Sequence, residues 1–329
     1  MKAGVTTILA LALTFGASAP VNAYLKFGVR VGDNVIDVRW NRPIQYFVTE
    51  RDGPGVTALQ LRDALGRAFA TWQGVSTARV QSQFQSLTIA PPGLQDGRTT
   101  IGFLDRPDLD RVLGATSFLL DAASGEIIEA DVFFNTRFNW STAAGGEAGR
   151  VDLESVALHE IGHLLGLGHS ALGETEMISG GRRVIASGAV MFPIALSPGI
   201  VADRVLQADD VAGVSDLYPA DGFDSDSASI SGRVTKNSNG VFGAHVAALN
   251  LETGALIGGF VLNASGAFVI AGLEPGTYVL RAEPLDDAEP ESFFNNPVDV
   301  DFRVTYAQRI VAAPRGGSTD AIEIQVRPK

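Results

Sequence analysis

No cysteine occurs among the 329 residues. That removes every thiolate mechanism and every cysteine-bound metal centre. It also removes disulfides, so an exported form would draw its stability from its core and from bound metal. Histidine is scarce, with four in all, and their positions are correspondingly informative. Basic charge is short as well: 25 Lys and Arg stand against 37 Asp and Glu, a formal net charge of −12. Nucleic acid and anionic membrane surfaces call for a basic patch, so neither is an expected partner. Beyond the first residues there is no run of about 18 apolar side chains, and no membrane span is expected.

A hydrophobic content of 46% and a charged content of 19% describe a globular chain, long enough for one large or two ordinary domains. The start reads as an address. Lys2 precedes an apolar stretch over 3–16, too short to span a bilayer, and Val21-Asn22-Ala23 supplies a cleavage box. Ala17-Ser18-Ala19 is an alternative box, but Pro20 would follow that cut directly. A signal over 1–23 and a mature start near Tyr24 are expected, with the protein secreted or periplasmic.

Hydrophobic periodicity places a strand at Ile44–Thr49 and, after the turn cluster Asp52–Gly55, an amphipathic helix from Thr57 to Gln73. Short strands follow at Thr99–Leu104, Thr116–Leu120 and Ile127–Phe134. A second helix opens at Asp152, runs through Leu165 and stops at Gly166. A third covers Ala208–Leu217, with Asp209 and Asp210 in the turn where the helix dipole favours negative charge. This is an α+β pattern over 24–219. The small, acidic stretch 220–229 reads as a linker. From 230 to 329, strands recur every ten or so residues between Gly-containing turns, as in a small all-β sandwich. With a polar linker between them, residues 24–219 are expected to fold without the sandwich.

His159-Glu160-Ile161-Gly162-His163 lies on the second helix. A spacing of four puts both imidazoles on one face, one turn apart, where they can share an ion. Glu160, one position after a ligand, can reach the attacking water without ligating. Gly166 turns the chain back so that His169 becomes a third ligand. Three imidazoles leave a fourth tetrahedral position open, the mark of a catalytic zinc. The expected chemistry is hydrolysis, in which zinc lowers the pKa of water toward about 7 and Glu160 takes up its proton. Two other classes compete: an exported binding protein whose catalytic domain is spent, and a metal-binding protein without catalysis. An intact Glu160 argues against both. His245, the remaining histidine, is assigned no role.

The extended His-Glu-x-x-His-x-x-Gly-x-x-His run is the metzincin signature. Ser170 after His169, Arg39-Trp40 with Ile44-Gln45-Tyr46, Arg67–Trp72 and Gln207–Pro219 all resemble the matrixin branch of that group. The resemblance covers roughly 35–219. It implies a metzincin domain with a twisted mixed sheet and three helices, a catalytic zinc, and a protein or peptide substrate lying extended along an edge strand. It also implies a methionine turn at Ala189–Pro193, so that Met191, Pro193 and Gly166 support the site. Ser231–Val234, Gly243–Val246 and Gly272–Tyr278 resemble the carboxypeptidase regulatory-like, transthyretin-type sandwich. The protein is expected to be a monomer.

Several residues depart from the animal matrixins. There is no cysteine for a thiol latch, so the mature protein is expected to be active without further trimming. With Ala115–Phe118 aligned on the family's edge strand, Thr116 stands where a structural-zinc histidine would be, and no histidine lies between Tyr24 and Leu158. Asp121, Glu129 and Asp131 are the candidates for calcium. The gap from His169 to Met191 is long, and Ala195 replaces a tyrosine that walls the substrate pocket.

Overall fold

The computed structural model describes residues 5–9, 26–32, 34–179, 181–285, 290–294 and 297–329. Both expected cleavage boxes and Tyr24 lie outside them. Alternating and β-branched runs form strands β1 (Val5–Leu9), β2 (Gly28–Val31), β3 (Asn34–Asp37), β4 (Ile44–Thr49), β5 (Ser82–Thr88), β6 (Thr99–Leu104), β7 (Gly114–Asp121) and β8 (Ile127–Asn135). β2 and β3 make a separate hairpin. The others build one sheet in the order β1-β7-β8-β6-β4-β5. Strands β5, β4, β6 and β8 run parallel, and β7 returns antiparallel to β8. β1 pairs antiparallel along the outer edge of β7.

Two helices cover one face of this sheet. Helix α1 (Ala58–Gln73) begins in a capping box, where Thr57 and Gln60 satisfy each other's exposed amides. Its Leu61, Leu65, Phe69 and Trp72 are fully buried and share one core with Val48, Ile101, Val132 and Phe134 of the sheet. Helix α2 (Leu153–Leu164) follows the short parallel pair β9 (Trp140–Ser141) and β10 (Val151–Asp152). Asp152 caps it by accepting from Ser155 N at 2.9 Å, and is itself held by an ion pair with Arg204. The cap alone contributes about 1 kcal/mol. At the other end Gly166 adopts φ +102°, and a Cβ there would lie 2.1 Å from the Val38 carbonyl oxygen. Only glycine fits this turn.

The long gap before Met191 is filled by a hairpin, β11 (Gly173–Ile178) with β12 (Gly181–Ser187). Neither this hairpin nor β5 was anticipated. β5 reads SQFQSLT, with little apolar alternation, and only its pairing with β4 makes it a strand. Helix α3 (Ala208–Leu217) matches its expected bounds.

The stretch 220–229 is not a loose spacer. It carries the short helix α4 (Phe223–Asp226) with Phe223 buried, and its start is tied back by Ala220 N donating to Thr77 O. The next strand, β13 (Ala228–Lys236), begins two residues inside it. β13 pairs with β14 (Asn239–Gly240), β17 (Ala267–Leu273) and β21 (Ser318–Val326). A second sheet joins β15 (His245–Asn250), β16 (Leu256–Phe260), β18 (Gly276–Glu283), β19 (Thr305–Tyr306) and β20 (Val311–Ala313). Both sheets contribute to one apolar core, including Ile230, Phe268, Ile324, Val246, Leu280 and Val311.

This core does not stop at the boundary. Leu172 and Ala189 pack with Ala247, Phe192 packs with Phe260, Phe293 and Phe294, and Ala212 of α3 belongs to the β-rich core. These contacts bear on the expectation that residues 24–219 fold without the sandwich: α3 and the turn around Met191 present apolar side chains that need a cover. Uncovering Leu172 and Phe192 alone costs about 3–6 kcal/mol at the usual value of burying a large apolar side chain. A chain truncated after Asp221 is expected to be insoluble, or to unfold well below the full-length protein in a thermal melt. An unchanged melting temperature would show the crossing contacts to be energetically idle.

Candidate metal centre

Backbone carbonyls of α2 receive indole and phenol donors from all around it. Trp72 Nε1 donates to Leu158 O at 2.9 Å, Trp40 Nε1 to Leu164 O at 2.9 Å, and Tyr218 Oη to Leu165 O at 2.6 Å. The last two satisfy carbonyls that a helix end leaves without partners. The helix is thus fixed in rotation, which fixes the direction of its histidines.

His159, His163 and His169 come together, with ligand nitrogens all within 4.8 Å of one another. Each ring has its Nδ1 against a backbone carbonyl: His159 on Val190 O at 2.7 Å, His163 on Leu167 O at 2.8 Å, His169 on Ser292 O at 2.7 Å. A carbonyl only accepts, so each Nδ1 carries the proton and each Nε2 is left with a lone pair. His163 Nε2 and His169 Nε2 lie 3.2 Å apart. Two lone pairs at that distance repel unless a cation stands between them. Ligands at roughly 2.0–2.1 Å from a tetrahedral zinc would be about 3.3 Å apart. Burial acts in the same direction: it lowers the pKa of His159 to about 3, holds His163 well below its ordinary value, and lowers His169. Neutral imidazoles are the form a metal needs. The donor set fits zinc.

Glu160 is buried beside them, and burial raises its carboxyl to about 7 against the pull of one hydrogen bond from Thr116. Thr116 Oγ1 lies 2.9 Å from Glu160 Oε2 and 3.0 Å from the Glu160 carbonyl. From the sequence, Thr116 was only the place of an absent structural-zinc histidine; its contact with Glu160 carried no signal there. The pleat of β7 turns Thr116, Phe118 and Leu120 inward, so this hydroxyl faces α2.

Met191 is buried under α2. A Cβ on Gly162 would lie 2.2 Å from its Sδ, so the glycine inside the histidine motif admits the sulfur. The turn itself hangs on Asp210, whose carboxylate accepts from Val190 N at 2.9 Å, Met191 N at 3.1 Å and Gln207 N at 2.8 Å. Burial pushes Asp210 up to about 7 against these three donors. From the sequence, Asp210 was only a dipole-favoured carboxylate. Pro193 is half-buried next to the turn, and Ala195 is exposed.

The calcium candidates do not converge. Asp131 accepts from Gly93 N and Thr100 N, Glu129 from Gly97 N, and Asp121 from Ala123 N. Among the described residues, the three histidines are the group that could hold a metal ion. His245 is buried, with Nδ1 2.8 Å from Glu283 Oε1.

A sequence profile of the matrixins matches residues 39–219, more than half of the chain. The chain belongs to the matrixin family. Among similar matrixin-related proteins, metalloendoproteinase 2-MMP of Arabidopsis thaliana is 29% identical over 195 residues, covering 55% of this chain and 43% of its own length. Metalloendoproteinase 1-MMP of the same plant is 31% identical over 191 residues, 55% of this chain and 44% of the relative. Karilysin of Tannerella forsythia is 28% identical over 198 residues, 58% and 36% respectively. This matrixin chain thus spans less than half the length of each of these relatives.

The Thr116 hydroxyl can be removed without changing side-chain volume. Thr116→Val is expected to lower turnover by about tenfold, the worth of one hydrogen bond to a charged group at its lower end, with zinc content unchanged. Thr116→Ser should restore most of it. Steady-state kinetics and metal analysis on the same preparations check this, and equal turnover in all three proteins would leave the hydroxyl without a role.

Proposed function

We propose that this matrixin is an exported zinc endopeptidase in which His159, His163 and His169 hold the metal and Glu160 is the general base. The observation that carries the reading is the convergence of three lone-pair nitrogens beside a buried carboxyl. Zinc, when bound there, polarises the scissile carbonyl and makes water nucleophilic near neutral pH.

The remaining work falls to the chain. Glu160 accepts the proton of the attacking water and returns it to the amine as the peptide bond breaks. Thr116 holds the Glu160 carboxyl in place. Gly166 lets the chain double back to bring His169 round, Met191 underlies the ligands through the gap at Gly162, and Pro193 continues the turn. A peptide substrate would lie extended along β7, adding a strand to the sheet. In the unprocessed chain that edge is paired with Val5–Leu9, and loss of residues 1–23 would free it. On this reading residues 24–219 form the protease domain, 220–229 the connection, and 230–329 a transthyretin-type sandwich. The two sheets and their common core support that assignment.

Glu160→Gln keeps the shape of the side chain and removes its basicity. Turnover of a casein or peptide substrate should fall by roughly 10²–10⁴-fold, with about one zinc per chain retained. Any of His159→Ala, His163→Ala or His169→Ala should abolish turnover and weaken metal retention. Unchanged turnover in Glu160→Gln would leave the base unassigned, and loss of zinc there would make Glu160 a ligand or a ligand-orienting group.

A further inference from the structure

His169 differs from the other two ligands in how it is held. His159 and His163 stand on α2, and their Nδ1 protons go to carbonyls of the catalytic region, Val190 and Leu167. His169 sits on the loop after the helix, and its Nδ1 partner is Ser292 O at 2.7 Å, 123 residues further along the chain. We propose that the β-rich C-terminal region is a structural part of the metal centre, with the Ser292 carbonyl as the positioning group for the third ligand. This rests on reading the three histidines as zinc ligands.

The carbonyl is presented by a built turn. Phe293 N and Phe294 N both donate to Pro290 O, at 3.0 and 2.9 Å. The rings that follow anchor it. Phe293 lies 5.6 Å from Phe260 and 6.1 Å from His169 between ring centroids, and Phe294 lies 5.7 Å from Phe260 and 5.3 Å from Phe242. Phe192, next to Met191, belongs to the same cluster. A second grip acts one residue beyond the ligand. The buried Asp209 carboxylate accepts from Ser170 Oγ at 2.6 Å and from Gly258 N of β16 at 2.8 Å.

The Ser292 bond has a chemical consequence for the ring. A carbonyl on Nδ1 forces the proton there and leaves Nε2 free to ligate; without it the other tautomer, which cannot ligate through Nε2, becomes accessible. A loop-borne histidine has no helix to restrain its rotation, so this bond also sets the direction of its lone pair. Loss of such an outer partner lowers metal affinity by roughly 10–100-fold.

Backbone ester substitution in the full-length protein tests this directly. Phenyllactate in place of Phe293 weakens the Ser292 carbonyl as an acceptor and removes one N–H donated to Pro290 O. Phenyllactate in place of Phe294 removes the equivalent N–H but leaves the Ser292 carbonyl untouched. The readout is the rate of zinc release into excess chelator, with thermal unfolding of the metal-free proteins measured alongside. The expected result is release about tenfold faster for the ester at 293 than at 294, with similar unfolding temperatures for the two. Equal release rates would overturn the proposal. Should either ester protein fail to fold, Phe293→Leu and Phe293→Ala replace them: the leucine should keep the turn seated and the zinc held, and the alanine should release it faster. An alanine variant that retains zinc as well as the unsubstituted protein would overturn the proposal equally. Failure of the unsubstituted protein to take up zinc would instead remove the ligand assignment itself.

Discussion

The three imidazoles must be neutral and must turn the same nitrogen toward a common point, and most of the surrounding structure serves that constraint. Neutrality comes from burial, which lowers the proton affinity of all three rings. Orientation comes from three backbone carbonyls, each on an Nδ1. These carbonyls belong to the turn at Val190, the reversal after Gly166 and the turn at Ser292. The arrangement is only as precise as the positions of those three segments, and each is held by a separate device.

The devices are polar groups buried in apolar surroundings. Asp210 takes three amide protons around the methionine turn, and Asp209 joins the His169 loop to β16. Trp40, Trp72 and Tyr218 bind the carbonyls of α2. A buried carboxylate with unmet hydrogen bonds would cost several kcal/mol, so these groups define one arrangement of the surrounding loops. Apolar packing supplies the stability, and the polar groups supply the register.

The C-terminal region enters the same network. In a chain without disulfides, two regions joined by a short polar segment could move against each other. Here the segment is folded, aromatic rings fill the contact around Phe192, and two hydrogen bonds cross beside His169. The geometry of the histidine cluster and the contact between the two regions therefore share these groups.

The sequence alone determined what depends on local spacing. A histidine pair four apart on a helix, the glycine that ends it and the next histidine three residues on are readable because helix geometry turns spacing directly into direction. The bounds of α1, α2 and α3 follow from caps and a 3.6-residue period for the same reason. Tertiary structure alone decided everything that depends on the partner across a gap. β5 became a strand by pairing with β4, Thr116 met Glu160 because the pleat of β7 turned it inward, and Asp210 reached Val190 and Met191 through a fold-back of the chain. Ser292 is the extreme case: a backbone carbonyl has no side-chain signature, and one placed 123 residues from its histidine leaves no trace in the order of the residues.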